Sequence, residues 1–128
     1  MNEVVLDASA ILAFLNQEEG AAAISQYLKN GIISAVNLSE VIAKLAERGV
    51  SKSLVQEFVE QLSIRVAPMD KTQAVIAGLL RNETKSFGLS LGDRVCVALG
   101  LHLKIPVITT DRQWDKLSIK GLEVRVVR

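Results

Sequence analysis

The chain has 128 residues, of which 49% are hydrophobic and 23% are charged, and its formal net charge is +1. This length suits one ordinary domain, which we expect to span residues 1–128, and the composition is that of a folded chain rather than a disordered one. Because the charge is nearly balanced, no global positive field attracts nucleic acid, and any site for a polyanion has to be local.

The cysteine and histidine content excludes an internal disulfide and a zinc site built from several cysteines or histidines. Cys96 is the only cysteine and His102 the only histidine, which fits a reducing compartment. The apolar stretch Val95–Leu103 is shorter than the ~20 residues that cross a bilayer. The N-terminal segment MNEVVLDASAILAFL lacks a basic leader and is interrupted by Asp7, which is wrong for a secretory signal. We therefore expect a cytoplasmic protein with no membrane segment.

Short β-branched runs alternate along the chain with longer segments of helical spacing. Strands are predicted at EVVL (3–6), GIISA (31–35), SIRVA (63–67), PVITT (106–110) and EVRVV (123–127). Helices are predicted at 18–30, 38–49, 53–62, 71–83 and 90–103. Strands that are apolar on both faces and separated by helices predict the α/β class, as a three-layer α/β/α sandwich around a mostly parallel sheet of about five strands.

Four acidic residues are predicted to meet at one edge of that sheet. Asp7 closes the first strand and Asp111 closes PVITT, while Glu40 and Asp93 each fall in the first turn of a helix that follows a loop. In parallel α/β sheets, ligands gather beyond the carboxyl ends of the strands, where the following loops and helix N-termini converge. The acids therefore share a candidate site.

Helix capping is the competing explanation for each acid, since acids are favoured at helix N-termini. Ser90 to Asp93 fits a capping box, Asn37 to Glu40 fits a related pattern, and Asp70 is assigned to capping the helix that follows it. Capping does not require four separate segments to converge, however. Clustered carboxylates repel one another unless a cation neutralises them, and Mg²⁺ or Mn²⁺ is the ion that prefers carboxylate and water oxygens.

The elements VVLDASAILAFLN, NLSEVIAKL, SLGDRVCVALG and VITTDRQWDKL occur in this order over nearly the whole chain. In this respect the chain resembles PIN-domain ribonucleases, especially the VapC-like toxins of bacterial toxin-antitoxin pairs. The resemblance implies hydrolysis of RNA phosphodiester bonds that depends on Mg²⁺ or Mn²⁺. It assigns the catalytic and metal-binding roles to Asp7, Glu40, Asp93 and Asp111, and supporting hydroxyls to Ser9, Thr109 and Thr110. Asp115 is a possible further ligand or a solvated surface acid.

Two arginines near the proposed edge, Arg94 and Arg112, are candidates for holding the RNA backbone, with a solvated charged face as the alternative. Trp114 either stacks on a base or, as we expect, anchors the last helix in the core. The resemblance also implies a homodimer and an antitoxin protein that lays a segment into the active-site groove. A solitary RNA-processing PIN nuclease and a catalytically inert PIN-like module that binds RNA or protein stay open as alternatives. A receiver-like phosphoryl-transfer domain is disfavoured, because this sequence lacks the adjacent early acid pair and the late strand-end lysine expected of receivers.

Overall fold

Five short parallel strands form the centre of the computed structural model, which describes residues 2–128. The strands are β1 (Val4–Leu6), β2 (Gly31–Ser34), β3 (Arg65–Ala67), β4 (Val107–Thr109) and β5 (Val124–Val126). Their order across the sheet is β3-β2-β1-β4-β5, and every neighbouring pair runs parallel. The predicted number of strands is confirmed, and the sheet is parallel throughout rather than mostly so.

Helices cover both faces of this sheet. They are α1 (Ala8–Leu15), α2 (Ala21–Ser25), α3 (Ala35–Glu47), α4 (Lys52–Gln61), α5 (Lys71–Leu79), α6 (Arg81–Thr84) and α7 (Leu91–Leu103). Side chains alternate across a strand, so Val4 and Leu6 of β1 pack in one core with Ile11 of α1 and Val41 of α3. Val5 enters a second core, with residues of α5 and α7. The three-layer α/β/α sandwich is thereby confirmed.

The strand order places β1 at a topological switch point. The chain continues from β1 to β2 and β3 on one side, then returns to β4 and β5 on the other side. The connections diverge here and leave a crevice beyond the carboxyl ends of β1 and β4. Asp7 follows β1 directly, and Asp111 lies two residues beyond the end of β4. The sheet therefore delivers both acids to adjacent strand ends.

Two predicted helices are divided in the structure, and a third, α3, begins at Ala35 rather than at residue 38. Only α2 and a 3-10 helix over Leu28–Asn30 form within 18–30. The helix begins only after Gly20, which has a φ of 92° and lies against the Val127 carbonyl oxygen, where a Cβ would stand only 2.6 Å away. The segment 71–83 divides into α5 and α6 around Leu80. Both helices are therefore shorter than the ranges predicted from the helical spacing of their apolar residues.

The apolar helix α7 is seated in the core as its composition predicts. Residues Val95 to Gly100 are all buried, whereas His102 near its end is exposed. Ser90 caps its start in a complete capping box with Asp93. Asp70 likewise accepts from the Gln73 backbone N–H at 2.9 Å and caps α5, as expected. Within the described residues 2–128, no helix is long and apolar enough to cross a membrane.

Candidate active site

Asp7 is the buried centre of the site, with 5% of its surface exposed. Its carboxylate accepts hydrogen bonds from the Ser9 hydroxyl at 2.8 and 2.9 Å, the Thr109 hydroxyl at 2.6 Å and the Ala10 backbone N–H at 2.8 Å. Burial raises the pKa of Asp7 from its ordinary value of 3.8 to about 6, against the lowering effect of these hydrogen bonds and with a further rise from nearby Asp93. Three donors orient the carboxylate without neutralising it.

The end of β4 connects Asp7 to Asp111. The Thr109 hydroxyl that donates to Asp7 also accepts from the Asp111 backbone N–H at 3.0 Å. The Thr110 hydroxyl donates to the Ser9 hydroxyl at 3.0 Å. The hydroxyls expected beside the acids therefore form one network that crosses from β4 to the start of α1. The Asp111 carboxylate is exposed and accepts from the Gln113 backbone N–H at 2.9 Å, at the start of a 3-10 helix over Arg112–Lys116.

Glu40 reaches the site from a different helical position than predicted. Because α3 begins at Ala35 and is capped by Ser34, Glu40 lies in the second turn rather than the first, and the proposed cap pattern from Asn37 to Glu40 is wrong. Ser34 competes successfully because the helix starts directly at the end of β2, where its hydroxyl accepts from the Val36 backbone N–H at 3.2 Å. The Glu40 side chain is exposed and still faces the site.

Asn37 and Gly92 hold Glu40 in place, and sequence reasoning did not assign either of them to the site. The Asn37 amide donates to the Glu40 carboxylate at 2.7 Å and to the Gly92 carbonyl oxygen at 2.9 Å. A Cβ on Gly92 would collide with the Glu40 carboxylate. The available signals were a buried polar side chain on an amphipathic helix and a glycine in the first turn of α7. Each is common in other settings.

Asp93 lies at the start of α7 and has a capping role as well as a place in the site. Its carboxylate accepts from the Ser90 backbone N–H at 2.9 Å, while its own backbone N–H donates to the Ser90 hydroxyl at 3.1 Å. One turn later lies the buried thiol of Cys96. Burial raises the pKa of this thiol, and the negative charges of Asp7, Asp93 and Glu40 raise it further. All three acids therefore lie close enough to the Cys96 thiol for their charges to raise its pKa.

Among residues 2–128, none of the four acids forms an ion pair with a basic side chain. Across residues 2–128 the ion pairs are Lys44 with Glu47, Arg65 with Glu3 and Arg125 with Glu123, and none includes the four acids. Over the same residues, no group of three or more acidic, histidine or cysteine side chains stands ready-made to hold a metal ion. The donor chemistry nevertheless fits a hard divalent cation, because the acids are oxygen ligands on separate elements and lack a counter-charge.

The other predicted residues lie around this centre. Arg94 is partly buried, and its guanidinium donates to the Ala77 carbonyl oxygen of α5 at 3.0 Å. Arg112 and Asp115 are exposed on the 3-10 helix after Asp111. Trp114 is 1% exposed and packs in the core, as expected. A role of Arg94 or Arg112 in RNA binding, and of Asp115 as a ligand, stays a prediction.

Comparison with known proteins agrees with this architecture. The sequence of residues 4–120 matches the family model of the PIN domain. No curated protein sequence matches the chain. A toxin-antitoxin complex from Klebsiella pneumoniae is similar in structure, with a TM-score of 0.74, 18% sequence identity and coverage of 94% of this chain and 95% of that one. DNA-bound VapBC from Salmonella typhimurium has a TM-score of 0.74 and 22% identity, and the match covers 98% of each chain. VapBC-1 from nontypeable Haemophilus influenzae has a TM-score of 0.74 and 21% sequence identity, and the match covers 96% of each chain. At these identities the likeness is one of fold.

Proposed function

The chain belongs to the PIN-domain family, and from that membership we propose that it is an endoribonuclease that depends on Mg²⁺ or Mn²⁺ and hydrolyses RNA phosphodiester bonds. The observation that carries this proposal is the buried carboxylate of Asp7, which has a raised pKa, lies near two further acids and forms no ion pair among residues 2–128. Such an arrangement costs stability unless a cation completes it. Clustered carboxylates also repel a substrate phosphate unless a cation screens their charge.

The residues that would hold the ion are Asp7, Glu40, Asp93 and Asp111, with Asp115 as a possible fifth. A bound divalent ion supplies a water of lowered pKa and screens the charge of the phosphate. Ser9 and Thr109 keep both oxygens of Asp7 in a fixed orientation. Asn37 restrains Glu40 over the first turn of α7. Such restraint favours catalysis, because carboxylates already oriented need not reorganise during the reaction.

The test is cleavage of RNA by the purified protein with Mg²⁺ or Mn²⁺, compared with EDTA and with the variants Asp7→Asn and Asp93→Asn. We expect EDTA and each variant to abolish cleavage. Asp70→Asn is the matched control, because it makes the same chemical change at an exposed cap of α5 and should cleave like the wild type. Unchanged cleavage by Asp7→Asn and Asp93→Asn, or in EDTA, would refute the proposed site.

We further propose that residues 1–128 act as one domain and as the cytoplasmic toxin of a type II toxin-antitoxin pair. The similar structures from Klebsiella and Salmonella are described as a toxin-antitoxin complex and as VapBC bound to DNA, which supports an antitoxin protein as partner. A homodimer is part of the proposal. Expression without an inhibitor should arrest growth, and expression of Asp7→Asn should not. Normal growth with abundant soluble wild-type protein would contradict the toxin role and favour a solitary RNA-processing nuclease.

A further inference from the structure

A polar cavity opens beside the acidic site. This flanking pocket has a volume of about 230 Å³ and is lined by residues that include Ser9, Thr110 and Leu12. The Ser9 hydroxyl bridges the pocket and the catalytic centre, because it donates to Asp7 and accepts from Thr110. A group bound in the pocket would therefore lie next to the phosphodiester held at the acids.

The charged lining of the flanking pocket contains both signs. Arg48 at the end of α3 and Arg128 at the C-terminus contribute guanidinium groups, and Glu18 and Glu19 after α1 contribute carboxylates. Among residues 2–128 no ion pair joins these arginines to these glutamates. The Arg128 guanidinium donates to the Thr110 carbonyl oxygen at 3.4 Å, a long contact that leaves most of its five N–H donors free. Donors and acceptors are therefore both available to a ligand.

Charge and size together indicate what this pocket accepts. Its two arginines and two glutamates sum to no net charge, which offers a phosphate little attraction beside four acids. A neutral, flat ligand that both donates and accepts hydrogen bonds suits the lining better, and Leu12 supplies apolar surface. In single-stranded RNA such a ligand is an unstacked base, which proteins read through its Watson–Crick and Hoogsteen edges.

Guanine complements the two kinds of charged group best. Its O6 and N7 atoms accept a bidentate pair of hydrogen bonds from arginine. Its N1–H and N2–H₂ groups are two adjacent donors, which match the two oxygens of one carboxylate. Resting on the proposed function, we propose that the flanking pocket is a specificity subsite that takes a guanine base next to the scissile phosphate, with Arg48 or Arg128 on its Hoogsteen edge and Glu18 or Glu19 on its Watson–Crick edge.

The first experiment measures kcat/KM on unstructured RNA oligonucleotides that differ only in one nucleotide. We expect wild type to prefer guanosine over the other three nucleotides by about 10- to 100-fold, the range of a bidentate base contact. Inosine lacks the 2-amino group and 7-deazaguanosine lacks N7, so each should lose part of this preference. In the double variant Glu18→Gln with Glu19→Gln, cleavage should no longer respond to inosine.

Arginine variants separate a base contact from a phosphate contact. Arg48→Lys and Arg128→Lys keep the positive charge and remove the planar fork, so at least one should lose both the guanosine preference and the response to 7-deazaguanosine. Arg65→Lys and Glu57→Gln, exposed residues outside the pocket, are the controls and should keep the preference. The subsite would be overturned if wild type showed no nucleotide preference or if all the pocket variants kept that preference. It would also be overturned if the pocket variants lost kcat/KM equally on all four nucleotides.

A binding measurement that needs no cleavage tests the flanking pocket independently of the proposed nuclease activity. In EDTA, the nucleoside guanosine, which carries no phosphate for the acids to repel, should shift the backbone amide resonances of Ser9 and Thr110 at about tenfold lower concentration than adenosine, cytidine or uridine. Selective binding by a protein that cleaves no RNA would refute the nuclease and leave the base pocket standing. Equal binding of all four, or none, would refute the pocket even if RNA is cleaved.

Discussion

Replacing Asp7 with asparagine should make the stability of the metal-free protein less dependent on pH between pH 5 and pH 7.5. Burial raises the pKa of Asp7 from 3.8 to about 6. A raised carboxyl pKa means that the stability contributed by this residue is complete below pH 3.8 and is lost as the pH rises through 6. The full difference is about 3 kcal/mol, at about 1.4 kcal/mol for each pKa unit. Between pH 5 and pH 7.5 the wild type should lose about 1.4 kcal/mol of this, whereas asparagine stays neutral.

The assay is thermal unfolding of both proteins in EDTA at the two pH values. For a domain of this size, about 1.4 kcal/mol corresponds to a change of about 5 °C in Tm. The Tm of Asp7→Asn relative to wild type should rise by that amount between pH 5 and pH 7.5. Other titrating groups affect the Tm of both proteins alike, so their contribution cancels in the difference. Hydrogen bonds that asparagine fails to make change this Tm difference by the same amount at pH 5 and at pH 7.5. A Tm difference that is the same at both pH values would refute the electrostatic origin of the cost.

Four other perturbations test the site and its support. Magnesium at 100 times its Kd should stabilise wild type by about 2.7 kcal/mol at pH 7.5 and Asp7→Asn far less, as measured by thermal shift; equal shifts would argue against Asp7 as a ligand. Gly92→Ala should displace the Glu40 carboxylate and lower kcat at a near-native Tm, and wild-type kcat would contradict the close packing. Asn37→Ala leaves the Gly92 carbonyl oxygen without its donor and should cost about 1–3 kcal/mol in urea unfolding; no loss would mean that solvent replaces the amide. Trp114→Ala should cost about 3–5 kcal/mol by the same method, as expected for a buried tryptophan, and a cost near zero would be inconsistent with its burial.

Much of the fold could be predicted from sequence because its signals are local. The runs that became β1, β2 and β4 are apolar on both faces, and this pattern already requires helices above and below the sheet. The cap at Ser90 depends only on residues within one turn of it. Asp7 and Asp111 follow strands in the chain, so their common edge follows from parallel pairing. The same local reasoning failed at Gly20, which lies against the C-terminal segment and after which the expected helix begins.

The α/β class, the acids at the strand ends and the burial of α7 all follow from local patterns in the amino-acid sequence. Which distant groups meet is fixed by the way the elements pack. It joins Asn37 to Gly92 across 55 positions, draws the Arg94 guanidinium to the Ala77 carbonyl oxygen and gathers Arg48, Arg128 and two glutamates into one pocket. Hydropathy and capping act over a few residues, whereas these contacts depend on how helices cross the sheet, and that is a property of packing.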